Sequence, residues 1–237
     1  MNPTILLGTA NIPNNGGELR LTQRGDDFSI DLKGVPGSLM TSRVFSSELA
    51  LAELGCAHLK KTENATVLVG GLGMGFTLSA ALKATTASSE VVVAELVPEI
   101  IEWNKGPMGE CAGKPISDKR ATIHLGDVAD FFNQNKTAQT RQAKQLKNAT
   151  FDAILLDVDN GPEAFTHADN NNLYSMESLS AIKKTLRPKG VLAVWSAWNE
   201  PTFTKTLKKA GFKVNVKTVR AHKGKGSRHT IYVATTK

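Results

Sequence analysis

Cysteine is nearly absent: Cys56 and Cys111 are the only two in 237 residues. Two thiols far from any His cluster do not make a zinc site, and they are expected to be a reduced cytosolic pair. Long apolar runs are lacking too. Stretches such as VLAVW (residues 191–195) fall far short of the roughly 20 residues that a membrane span needs, so no integral membrane protein is expected. The opening MNPTILLGTA has no basic leader and only three consecutive large aliphatics. Neither a signal peptide nor a transit peptide is therefore expected, and the expected compartment is the cytoplasm. With 41% apolar and 22% charged residues, 20 Gly and 9 Pro, the composition excludes disorder, collagen and coiled coil. The length fits one domain of generous size, or one carrying a small appendage.

Acid is missing from one end. Residues 201–237 hold eight Lys and two Arg with no Asp or Glu, a charge of +10, whereas residues 1–200 carry −3. The basicity that gives the whole chain +7 is thus local, and its meaning depends on where the fold puts that end.

Two kinds of pattern are present. GELRLTQ (residues 17–23) and FSIDLKG (residues 28–34) alternate with period 2 around Arg24, Gly25 and Asp26, which predicts a β-hairpin. SSELALAELGCAHLK then predicts a helix with Ser46 as its N-cap and leucines at Leu49, Leu51 and Leu54. From Ala65 onward, wholly apolar runs (TVLVGG, VVVAE, ATIHLGD, FDAILLD, VLAVW) alternate with helical stretches at residues 76–83, 98–104, 176–186 and 201–210. That is the signature of a parallel sheet covered on both faces. Near the end, FKVNVKTVR and HTIYVAT are joined by AHKGKGSRH (residues 221–229), too short for a crossover helix, so these two strands should pair antiparallel.

The first of the apolar runs ends in Gly70-Gly71-Leu72-Gly73-Met74-Gly75 and enters a helix directly. Glycines at that place let the backbone turn sharply and a nucleotide approach it closely, although tight packing of strand on helix would also call for them. Glu95 follows Gly75 by twenty residues at the end of the next run, where a carboxylate can accept both hydroxyls of a ribose. Asp127 and Asp157 close the two runs after that. Successive acids at strand ends lie along the carboxyl edge of one sheet, where open α/β folds bind ligands; the alternative for each is a helix cap.

The order VLVGGLGMG, AELVPEIIEWN, HLGDVADF, FDAILLDVDNGPEA, LYSMESLSAIKKTLRPKGVLAVW resembles the spermidine-synthase (polyamine aminopropyltransferase) branch of the class I S-adenosylmethionine-dependent methyltransferase fold, over about residues 17–237. The resemblance implies a Rossmann-like α/β fold: a seven-stranded sheet with a terminal antiparallel hairpin at residues 46–237, preceded by a small β domain at residues 1–45. MTSRVFSSELAL resembles the family's TERDEFxYHEML, Glu48 matching its glutamate. By the same resemblance Glu95 holds the ribose and Asp127 the adenine amino group. Gly71, Gly73, Met74 and Gly75 of the turn, with Leu96 and Val128 beside the two acids, complete the implied donor site. Asp157 matches the first Asp of the family's DSSDPxGPA loop. Asp157 is the expected acceptor of the amine proton, with Asp159 as a second candidate. No metal is implied, and homodimers are.

Departures from the family pattern shape the functional expectation. Spermidine synthases read GGGDGG, and the Asp there grips the amine of the decarboxylated donor; Met74 stands in that place here. The gate loop is shorter, and the last hairpin carries Lys223, Lys225 and Arg228 where the family has an aromatic. These cations, with Tyr174, are the expected acceptor rim, which would draw a carboxylate, a phosphate or a nucleic acid and repel a diamine; the alternative is a solvated basic loop. The favoured expectation is therefore methyl transfer from S-adenosylmethionine to a small, anionic acceptor. Aminopropyl transfer from decarboxylated S-adenosylmethionine to a diamine such as putrescine is the alternative, and a noncatalytic nucleotide- or RNA-binding relative the third reading.

Overall fold

The computed structural model describes residues 2–132, 150–158, 173–222 and 225–237, the side chain of Lys225 excepted. The first forty residues form an antiparallel sheet in the order β1 (Ile5–Ile12), β2 (Gly17–Arg24), β3 (Asp27–Leu32), β4 (Ser38–Thr41). The expected hairpin is β2 and β3, with Arg24 paired to Asp27 around a two-residue turn in which Gly25 takes φ +63°. Its inward residues Leu19, Leu21, Phe28 and Ile30 are buried. The flanking strands escaped the sequence reading. In β1, Ile5, Leu6 and Leu7 are all exposed and the register slips between Leu6 and Gly8, so no alternation marks it. β4 has only four residues.

Helix α1 (Ser46–Gly55) starts one residue earlier than expected: Phe45, not Ser46, occupies the cap position, and no side chain caps the helix. The chain is instead fixed by packing, the Phe45 ring stacked on Phe76 at 4.4 Å.

The main sheet contains β5 (Thr66–Gly70), β6 (Glu90–Glu95), β7 (Ala121–Leu125), β8 (Phe151–Leu156), β9 (Leu186–Ser196), β10 (Lys213–His222) and β11 (Lys225–Thr235), in the order β10-β11-β9-β8-β5-β6-β7. β5 to β9 run parallel, and β11 is antiparallel to both its neighbours. The helices are α2 (Phe76–Ala84), α3 (Pro98–Lys105), α4 (Pro107–Glu110), α5 (Met176–Thr185) and α6 (Pro201–Lys209). Strands without alternation are buried on both faces, as in Val67, Leu68 and Val69. One apolar core lies on each face, and that containing Val67, Val69 and Leu155 is continuous with Leu19 and Ile30 of the N-terminal sheet. The small sheet is thereby anchored beside the carboxyl edge.

The basic segment differs from expectation. Residues 221–229 are mostly strand: β10 runs to His222, β11 starts at Lys225, and the two stay paired to the tip. Both cysteines are free, and burial pushes the Cys56 thiol up to about 12, which leaves it inert. Among the described residues no helix is long and apolar enough to cross a membrane.

Candidate active site

The turn after β5 is built by positive φ. Gly71 has φ +88°, and a Cβ there would lie 2.4 Å from the backbone oxygen of Asp157. Only glycine lets the turn pass that close. Gly71→Ala is expected to lower the denaturation midpoint, since the backbone conformation alone costs a non-glycine residue about 1–3 kcal/mol; an unchanged midpoint would contradict the close approach. Gly75, at φ +87°, is the cap residue of α2. The turn is held from behind by Asn104, fully buried, whose Nδ2 donates to the Gly73 carbonyl at 2.8 Å. Asn104 sits in the last turn of α3, where a polar residue is ordinary, so nothing local marks it.

Glu95 ends β6 in a buried position, and its two oxygens accept the backbone N–H groups of Leu72 at 2.9 Å and Val97 at 2.8 Å. Burial raises its pKa and these backbone donors oppose the rise. Gly73 and Leu96 also turn their backbone N–H groups towards it, so Glu95 fixes the glycine turn from behind. Asp127 lies two residues beyond the end of β7, exposed, its Oδ1 accepting the Ala129 N–H at 2.8 Å as the cap of a short 3-10 turn (Val128–Phe131). Val128 is buried against Gly70, and Leu96 is exposed. These residues share the carboxyl edge of β5, β6 and β7.

On the other side of the glycine turn is a cavity of about 150 Å³, roofed by the N-terminal sheet. Ile12, Leu32, Leu39 and Met40 of that sheet give it an apolar wall, and Gly73, Met74 and Trp195 line it from the main sheet side. Among the described residues, the charged side chains lining it are both acidic: Glu48 from α1 and Asp157 from the end of β8. Thr77, in the first turn of α2, donates its hydroxyl to Asp157 Oδ2. Burial, and then the negative charge of Glu48, push the Asp157 carboxyl up to about 7 against the effect of Thr77. Burial likewise raises Glu48, whose Oε2 accepts from Ser47 Oγ at 2.6 Å. Two carboxylates in one pocket cannot both ionise freely.

The fold therefore brings Gly73, Met74 and Asp157 together around one cavity. It adds Glu48, Thr77 and the N-terminal wall, which sequence spacing did not reveal; Glu48 was signalled only by the segment MTSRVFSSELAL. Trp195, whose place at the end of an apolar run suggested core, lines the cavity. The two described residues of the expected acceptor rim are elsewhere. Tyr174 is buried against Phe203, ring centroids 5.4 Å apart, and is not among the lining residues. Arg228 is exposed on β11 opposite Arg220, again outside the lining. Lys223, Asp159 and the side chain of Lys225 lie outside the described residues.

Known proteins share this architecture. The family model for the Spermine/spermidine synthase domain matches residues 48–222. A polyamine aminopropyltransferase of Prochlorococcus marinus (strain AS9601) is 28% identical over 134 residues, a match that covers 56% of this chain and 41% of that protein. The chain thus spans about two fifths of the curated relative's length. Among solved structures, a spermidine synthase in complex with the transition state analogue AdoDATO superposes with a TM-score of 0.68 at 16% identity, covering 98% of this chain and 72% of the other. The spermidine synthase from Thermotoga maritima gives 0.69 at 16% identity, covering 98% and 73%. A seven-stranded sheet with its terminal hairpin, a small sheet before it and a family match over most of the length together establish that the chain belongs to the spermine/spermidine synthase domain family.

Proposed function

We propose that the chain transfers an aminopropyl group from decarboxylated S-adenosylmethionine to a primary amine of a polyamine-class acceptor. One observation carries this: among the described residues, the charged groups that line the cavity are Glu48 and Asp157, with no Lys or Arg. A pair of acids beside an apolar wall fits methylene chains that end in ammonium groups. The same pair would repel the carboxylate of S-adenosylmethionine. The expectation of methyl transfer to an anionic acceptor rested on Met74 and on a basic rim, and among the described residues no basic side chain lines this pocket. With Met74 in place of a carboxylate, Glu48 and Asp157 are left to hold the amines. The names borne by the matched relatives support the same reading.

The chemistry asked of the protein is modest. The glycine turn, Glu95 and Asp127 would position the nucleotide, with Leu96 and Val128 beside them, and the N-terminal wall would align the acceptor; holding reactants in line supplies much of the rate. Asp157, its carboxyl raised towards neutrality, takes one proton from the acceptor ammonium. The freed amine pair forms the new C–N bond as the C–S bond breaks, its electrons passing to sulfur.

Donor choice tests the proposal. By calorimetry, decarboxylated S-adenosylmethionine should bind at least about tenfold more tightly than S-adenosylmethionine, a difference of roughly 1.4 kcal/mol. The reverse preference would restore methyl transfer.

A further inference from the structure

The transfer has a proton left over. An acceptor that enters as R–NH3+ leaves as a secondary ammonium, so each turnover releases one proton into a pocket that already holds two mutually repelling carboxyl groups. A route out of that pocket is visible on the side of Glu48. Ser47 Oγ donates to Glu48 Oε2 at 2.6 Å, and His229 Nδ1 lies 2.9 Å from the same Ser47 oxygen. Ser47 is 1% exposed, so water has no access to this hydroxyl. His229, half-buried on β11, has its ring set edge-on to Trp195 at 4.8 Å.

We propose that Ser47 and His229 form a proton path to solvent for the released proton once Asp157 has passed it to Glu48, the other acid of the same cavity. The inference rests on the transfer reading above. Its logic is the single proton of the Ser47 hydroxyl. When Glu48 is ionised, that proton points to the carboxylate, so His229 must donate from Nδ1 and its Nε2 is bare. When Glu48 is protonated and the ring carries its proton on Nε2, Glu48 donates to Ser47 and Ser47 donates to His229 Nδ1; both protons shift one place, giving a Glu48 carboxylate and an imidazolium, which loses its Nε2 proton to solvent. The shift carries one proton from Glu48 to solvent and leaves the ionised arrangement with Nδ1–H facing Ser47, and the ring returns to its Nε2–H tautomer by exchange with solvent before the next transfer. Burial lowers the pKa of His229, so the ring does not retain the proton it receives.

Among the described residues, the ionisable groups at the path are Glu48 on α1, Asp157 after β8 and His229 itself. On the strands beside His229 the facing residues are Val219, its partner in β10, and Trp195 of β9. Ser47 and His229 do not touch the reacting atoms in this scheme. They act through Glu48, as proton-carrying and positioning residues.

Two measurements test it. In the first, the ring nitrogens of His229 are followed by NMR across pH in the full chain without ligand, for the wild type, Glu48→Gln and Ser47→Ala. The path requires the tautomer of His229 to change where Glu48 titrates, and requires either substitution to abolish that step. A His229 titration indifferent to both substitutions overturns it. In the second, His229→Ala should turn over about tenfold or more slowly, within the range general acid–base groups contribute. Added imidazole should restore the rate in proportion to its concentration, with KM for the donor unchanged. His229→Asn, which keeps an N–H for Ser47 but cannot titrate, should remain slow; full turnover by His229→Asn would reduce His229 to a structural role and overturn the path. If the wild type transfers no aminopropyl group, the transfer reading fails, and the NMR titration still decides the proton path by itself.

Discussion

Asp157→Asn should reduce the turnover number by about 10²- to 10⁴-fold, the usual contribution of a positioned general base, and should weaken donor binding far less, since Glu48 keeps its carboxyl in the same cavity. Asparagine keeps the shape and the acceptor oxygen for Thr77 but cannot take the amine proton. The pH profile gives an independent check. Because the Asp157 carboxyl is pushed up to about 7, kcat/KM of the wild type should rise with pH through neutrality as the base ionises. Glu48→Gln removes the neighbouring negative charge, lowers that pKa and should move the rising limb to more acid pH. Stability has the opposite sign. Between the ordinary carboxylate range and about 7 the folded protein binds more protons at Asp157 than the unfolded chain does, so its stability falls as pH rises through that window. Asp157→Asn should flatten the fall and raise the denaturation midpoint at pH 8. Retained turnover with an unaltered pH profile would remove Asp157 from the mechanism.

Glu95→Ala has the second largest expected effect, and it acts on binding. The carboxylate accepts the N–H groups of Leu72 and Val97 from a buried position. Removing it leaves two backbone donors unpaired, each worth about 1–3 kcal/mol, and frees the turn that the donor must approach. Nucleotide affinity should fall by a few kcal/mol, on the order of a hundredfold or more, for both sulfonium nucleotides. Glu95→Gln separates the parts: its amide oxygen can still accept one N–H, so stability should recover more than affinity. Unchanged affinity of Glu95→Ala by calorimetry would exclude Glu95 from the donor site.

What the sequence revealed follows the range over which its signals act. The glycine turn and Glu95 were legible because their spacing is local and fixed by one strand, one turn and one helix. The parallel strands were legible because burial on both faces leaves continuous apolar runs, as in β5 and β8. β1 was not, because exposed aliphatics and a register slip erase its alternation. Asp127 was placed at a strand end, two residues beyond where the strand stops, because a capping Asp and a strand-end Asp look alike in sequence. The cavity was the least legible feature. Its wall comes from β1, β3 and β4, its acids from α1 and β8, and its donors from single hydroxyls at Ser47 and Thr77, which carry no periodicity. The charge excess after residue 200 was legible as arithmetic but not as a place in space: the hairpin is paired as far as His222 and Lys225, and none of its described basic side chains lines the pocket.

Product analysis tests the central claim most directly. The purified chain is incubated with a primary diamine and, in separate reactions, decarboxylated S-adenosylmethionine or S-adenosylmethionine, and acceptor and nucleotide products are weighed by mass spectrometry. Aminopropyl transfer predicts that the diamine gains one aminopropyl group only with the decarboxylated donor, with an equal amount of methylthioadenosine formed. A methylated acceptor, with S-adenosylhomocysteine formed from S-adenosylmethionine, would contradict it.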